Sequence, residues 1–173
     1  HVALISNYLP VFTKLKGLET TIAATGLTLI GIFNMMGTLI SGKISGIIKK
    51  KYVLSFIYFS RSIVIFFLLI LPTNNFVVIG FSCLIGLLWL STVPPTSGIV
   101  ANRFGTRYLS TLFGIVMVSH QAGAFFGSFV GGLVIDVYGS LDLAWIMAIV
   151  ISLFSAFIHL PIVEKEKSEE VFA

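Results

Sequence analysis

Residues 109–133 read LSTLFGIVMVSHQAGAFFGSFVGGL, 25 residues without one Asp, Glu, Lys or Arg. At a helical rise of about 1.5 Å per residue, such a run crosses a hydrocarbon core of about 30 Å. Helix is the state it must adopt in lipid, where every backbone polar group needs an internal partner, and it lacks the period-2 alternation of a barrel strand. Working outward, comparable apolar runs occupy residues 1–13 (a partial first span), 20–42, 52–71, 76–99 and 141–163. Polar or turn-forming clusters separate them: Lys14 to Glu19, the run Lys49-Lys50-Lys51, Pro72-Thr-Asn-Asn75, Asn102 to Arg107, and Asp136 to Asp142 around Gly139. The expected architecture is an all-α membrane protein, a six-helix transmembrane bundle over residues 1–163, with a charged tail at 164–173 that leaves the bundle for water from Glu164 onward.

Composition excludes the common soluble classes. The chain is 57% apolar and 10% charged, whereas a soluble domain carries about 25% charged residues. The net charge of +4 comes from basic residues that punctuate apolar runs instead of lining one face, so nucleic acid is not an expected partner. The single cysteine, Cys83, permits neither an intrachain disulfide nor a cysteine-rich metal site. No His/Glu zinc spacing, nucleophile elbow or phosphate-cradling loop is present, which points away from an enzyme and from any cofactor or metal. The sequence starts at His1, inside an apolar stretch and without Met, and is expected to be a fragment that lacks an upstream half.

Short connections make successive helices antiparallel, so basic residues can be assigned to alternate sides. One side holds Lys43, Lys49, Lys50, Lys51, Arg103, Arg107, Lys165 and Lys167; the other holds Lys14 and Lys16. The positive-inside rule places the richer side, and with it the C-terminus, in the cytoplasm of a multi-pass cell-membrane protein.

Gly123, Gly127 and Gly131 repeat every four residues and allow close helix approach. Gly26, Gly31, Gly37, Ser41 and Gly42 repeat the theme in the second span; both stripes read either as static packing or as sliding faces between moving bundles. His120 shares the face of the first stripe, because seven residues at about 100° each return to nearly the same angle at Gly127. Ionisable groups in a bilayer usually face a bundle interior or cavity, so His120 with Gln121 is a candidate for solute contact or coupling, against a neutral histidine bonding across helices. Arg61 lies about 15 Å along its span from Lys51, too deep to snorkel, and must hold carbonyls, a carboxylate or an anion. Trp89, Ser91 and Thr92 precede Pro94 and Pro95, which kink the helix or end it, and broken helices line transporter cavities. Asn7, Tyr8 and Pro10 form a similar polar patch in the first span, and Asn34 reads as interhelical glue.

The stretch Gly42-Lys-Ile-Ser-Gly-Ile-Ile-Lys-Lys-Lys51 resembles the loop signature Gly-x-x-x-Asp-Arg-x-Gly-Arg-Arg of the major facilitator superfamily, with Gly42, Lys50 and Lys51 in register and Gly46, Ile47 and Lys49 departing. The series Pro94-Pro-Thr-Ser, Arg103-Phe-Gly-Thr-Arg107, Leu112-Phe-Gly114, His120-Gln-Ala-Gly-Ala-Phe-Phe-Gly127 and Gly131-Gly-Leu-Val-Ile-Asp136-Val-Tyr-Gly139 is similar to the monocarboxylate and oxalate/formate type members. The resemblance implies that the six spans are the seventh to twelfth of a twelve-helix fold. In that fold the seventh and tenth helices line the cavity, the eighth and eleventh meet the other half, and the ninth and twelfth lie outside. Carboxylate carriers of this kind often place Arg in the eighth helix or Lys in the eleventh; here the eighth has no cation before Lys43, and the eleventh offers His120. The implied function is secondary transport of a small solute, such as an organic anion, by alternating access. The partners are then the solute, the bilayer, the missing N-terminal half and, for coupling, protons. The competing class is a non-transport membrane subunit or scaffold.

Overall fold

The computed structural model of the chain describes residues 2–164. His1 of the first expected span and Lys165 to Ala173, including Lys165 and Lys167 of the basic count, lie outside the described residues. The described residues form α1 (Val2–Leu15), α2 (Thr20–Ile47), α3 (Lys50–Ile70), α4 (Asn75–Leu88), α5 (Val93–Phe104), a 3-10 turn at Thr106–Tyr108, α6 (Leu109–Tyr138) and α7 (Asp142–Ile158), with no strand among them. Four stretches are long and apolar enough to cross a membrane: Thr20–Ile47, Lys50–Ile70, Asn75–Phe104 through its interruption, and Thr106–Tyr138. Val2–Leu15 and Asp142–Ile158 are shorter apolar helices. The chain is an all-α membrane protein.

Local chemistry sets the helix ends. The Asn74 side chain accepts a hydrogen bond from the Val77 amide at 3.0 Å and caps α4. Gly139, in the left-handed region at φ 64, terminates α6, a conformation that costs glycine little. Asp136, expected in the connection between the last two spans, is therefore helical, and α6 continues past residue 133. The expected span at 76–99 is two helices, since α4 stops at Leu88 and α5 restarts at Val93. Both prolines then fall in the first turn of α5, where amide donors have no helical acceptor and proline is tolerated.

The principal pairings are α2 with α4, α3 with α7 and α1 with α6. Trp145 of α7 is fully buried between Phe12 of α1 and Phe81 of α4, edge-on at 5.7 Å and 6.4 Å between ring centroids. Leu9, Leu68, Val78, Ile85 and Leu141 complete this core. It lies toward the Lys14 end of the bundle, where α1 and α3 finish and α4 and α7 begin.

Gly26, Gly37 and Ser41 of the α2 stripe are buried. A methyl group at Gly26 would stand 2.7 Å from Ser82 Oγ, one at Gly37 would collide with the Leu87 backbone, and one at Gly86 would stand 2.9 Å from Ile30 O. Gly26 and Gly37 are thus packed against α4, while Gly31, in the same stripe, has no described atom of another helix within 4 Å of where a methyl would be.

At the opposite end of the bundle, Glu164 departs from the expected solvated tail. Its carboxylate accepts from the amides of Lys50 at 3.1 Å and Lys51 at 2.8 Å, capping an α3 N-terminus that has no side-chain cap of its own. Lys51 Nζ donates to Leu160 O at 3.1 Å, and the Lys50 ammonium is 3.9 Å from the Glu164 carboxylate, whose side chain is only 6% exposed. A basic helix N-terminus attracts an acid, and the amides of Lys50 and Lys51 give that acid somewhere to bind.

Candidate functional site

The interruption between α4 and α5 organises the middle of the molecule. Helix α4 ends in carbonyls without helical partners, and in an apolar surrounding each must find a donor. Arg61 of α3 supplies them. Its Nε donates to Leu88 O at 3.1 Å, and its Nη2 donates to Leu88 O and, at 2.5 Å, to Trp89 O. The guanidinium also lies over the Tyr58 ring, 5.0 Å from its centroid, and the residue is 2% exposed. Backbone carbonyls, one of the possibilities open for Arg61 in the sequence, are among its partners.

Helix α2 serves the same joint. Asn34 Oδ1 accepts from the Leu90 amide at 2.9 Å, and Ser41 Oγ donates to Ser91 O. Ser91 Oγ turns back to Leu87 O, and Thr96 Oγ1 to Thr92 O at 2.6 Å. Asn34 is the interhelical glue that its isolation in an apolar helix suggests.

Beside the joint lies a cavity of about 490 Å³ whose polar wall is formed by Tyr58, Arg61, Trp89, Thr92, Ser119 and His120. No acidic side chain is among the described residues lining it. Gly123 and Gly127 continue the α6 wall. Gly123 has no atom within 4 Å of where a methyl would be, while Gly131, further along the stripe, would press a methyl 2.5 Å from Tyr8 Cε2 and 2.8 Å from Leu4 Cδ1. The stripe therefore divides into an open part beside His120 and a packed part against α1.

The structure brings His120, Arg61 and Trp89 to one cavity and takes Asn7 and Tyr8 elsewhere. Asn7 Nδ2 donates to Ser128 Oγ at 2.8 Å and Tyr8 Oη to Ser128 O at 2.7 Å, a clasp between α1 and α6. Gln121 is exposed on the neighbouring face of α6, about 100° around from His120. Gly42 faces the Pro94 ring, which a methyl at Gly42 would meet at 3.8 Å. Pro95 is buried at the start of α5.

Three participants carried no clear signal in the sequence. Ser119 and Ser155 line the cavity as ordinary helical serines, and His159 stacks on Tyr58 at 5.1 Å while its Nδ1 contacts Ser155 O at 2.5 Å. Tyr58 had one available cue, its position three residues before a membrane-buried arginine, which puts the two on one face.

A bundle of apolar helices with an interrupted helix and a polar cavity beside the break defines a helical membrane protein. The model of the Major Facilitator Superfamily matches residues 5–172, and the chain belongs to that family. It is 26% identical over 146 residues to an uncharacterized MFS-type transporter, YcxA, of Bacillus subtilis (strain 168), a match covering 81% of this chain and 36% of the relative. The chain thus spans about a third of the length of the curated relative it matches. No solved structure matches it.

Proposed function

We propose that the chain is one half of a secondary transporter that moves a small organic anion, such as a monocarboxylate, by alternating access. The observation that carries this reading is the cavity beside the α4–α5 joint, polar at mid-bundle and walled by Arg61 and His120 with no acid among its described lining residues. Family membership supports transport as the activity, and a cavity with a guanidinium in its wall and no acid among its described lining residues favours a negative guest. In this reading α1, α2, α3, α4 with α5, α6 and α7 are six crossings, and a second six-helix half faces the exposed side of α6. His120 meets the solute or carries a coupling proton. The chemistry is binding and release, with no bond made or broken.

The test is uptake by the full-length protein in proteoliposomes against a panel of labelled solutes that includes monocarboxylates. His120→Gln should lower saturable uptake about tenfold, the usual worth of one hydrogen bond to a charged group. If the histidine carries the proton, acid-stimulated net uptake disappears while solute exchange survives. Unchanged affinity and unchanged pH dependence would make His120 structural, and no uptake of any solute would favour the scaffold reading. Orientation is checked separately. A cysteine replacing Lys50, in a Cys83→Ser background, should react with an impermeant maleimide only from the cytoplasmic side, and labelling from outside would reverse the topology.

A further inference from the structure

The joint between α4 and α5 has two possible sets of hydrogen-bond partners. In an unbroken helix the amides of Thr92 and Val93 would serve the carbonyls of Leu88 and Trp89. Here the Val93 amide donates instead to Leu90 O at 2.9 Å, and Arg61 serves Leu88 and Trp89. Straightening the joint would not restore every bond, because Pro94 and Pro95 have no N–H to offer Leu90 and Ser91. In the bent form both of those carbonyls are satisfied, Leu90 by Val93 and Ser91 by Ser41.

We infer that Arg61 is a positioning residue: its forked guanidinium stands in for the two amide donors withdrawn from Leu88 and Trp89 and holds the α4–α5 joint in its bent form. The prolines and the arginine are then two halves of one device. The prolines raise the cost of the straight helix, and the arginine lowers that of the bent one. A lysine cannot replace it, since a point charge on a flexible stem does not span two carbonyls as a planar fork does. The joint places Trp89 and Thr92 on the cavity wall, so under the transport reading Arg61 shapes the solute site without being its ligand. The inference about the joint stands on the bonds themselves. Its test uses no solute, so its failure and that of the transport reading are distinguishable.

The experiment measures thermal unfolding of the full-length protein in detergent, and the rate at which N-ethylmaleimide labels a cysteine at Thr92, both in a Cys83→Ser background. Arg61→Met should lower Tm by about 5 °C and change the labelling rate about tenfold, as expected for coupled groups in one network. In a Pro94→Ala, Pro95→Ala background, where the helix can heal, the same substitution should cost less than half as much in Tm. Arg61→Lys should resemble Arg61→Met. Equal losses with and without the prolines, or full rescue by lysine, would overturn the inference. If Arg61→Met yields no folded protein alone, recovery in the proline-free background supports it and failure in both overturns it.

Discussion

Helices α6 and α7 carry small residues at the same spacing of four and put them to opposite use. On α7, Ala144, Ala148, Ser152 and Ala156 are all buried, and the helix packs along α3, where Ser55 Oγ donates to Ala156 O at 2.7 Å. On α6, Gly131 is buried against α1, whereas Gly123 has open space where its side chain would be. Spacing permits a close approach without requiring one. The outcome depends on what stands opposite: α3 brings a continuous buried row through Leu54, Ile57, Arg61, Ser62 and Ile65, while Leu4 and Tyr8 of α1 stand against Gly131 and no described residue of another helix stands against Gly123.

The most severe way to break this comparison is on α7. Ser152 is fully buried at the middle of its stripe, so Ser152→Leu forces two extra heavy atoms into the seam between α3 and α7. Overpacking of this kind costs about 1–3 kcal/mol, and the Tm of the full-length protein should fall clearly. An unchanged Tm would mean that α3 and α7 can separate without penalty, and the contrast with α6 would lose its packed member.

Much of this fold was legible because bilayer physics leaves few options: long apolar runs must be helices, and their punctuation marks the connections. The partners of the polar residues were less legible. The proline pair near residue 94 announced a disturbance, but only tertiary packing shows that the break begins at Trp89, because the residue that satisfies its carbonyls comes from another helix. Gly37 belonged to a loose stripe in the sequence and proves to be among its tightest positions, a matter of where Leu87 lies rather than of spacing. Glu164 looked like the start of a tail since charge near a chain end normally favours water, and the vacant amides of α3, 114 residues away, outweigh that preference at Lys50. For the candidate site, His120 and Arg61 stood out as polar groups in apolar helices, whereas Ser119 and Ser155 reach the cavity, and His159 reaches Tyr58, only in the folded bundle.

The finest distinction lies within α6 itself and is tested with a single methyl group. Gly131→Ala pushes that methyl against the Tyr8 ring and Leu4, and the ring cannot simply swing away because Tyr8 Oη is bonded to Ser128 O at 2.7 Å. The expected cost is about 1–2 kcal/mol, from the clash and from the loosened clasp. Gly123→Ala meets no described residue of another helix within 4 Å, and alanine is preferred over glycine within a helix by about 0.5–1 kcal/mol, so Tm should hold or rise slightly. Under the transport reading the same methyl narrows the cavity next to His120, so uptake should fall while stability does not. Thermal unfolding and uptake, measured on both variants of the full-length protein, separate the two halves of the stripe. A Tm loss at Gly123 as large as that at Gly131 would show that this face is packed in the resting protein, and the division of α6 into a structural end and an open one would fail.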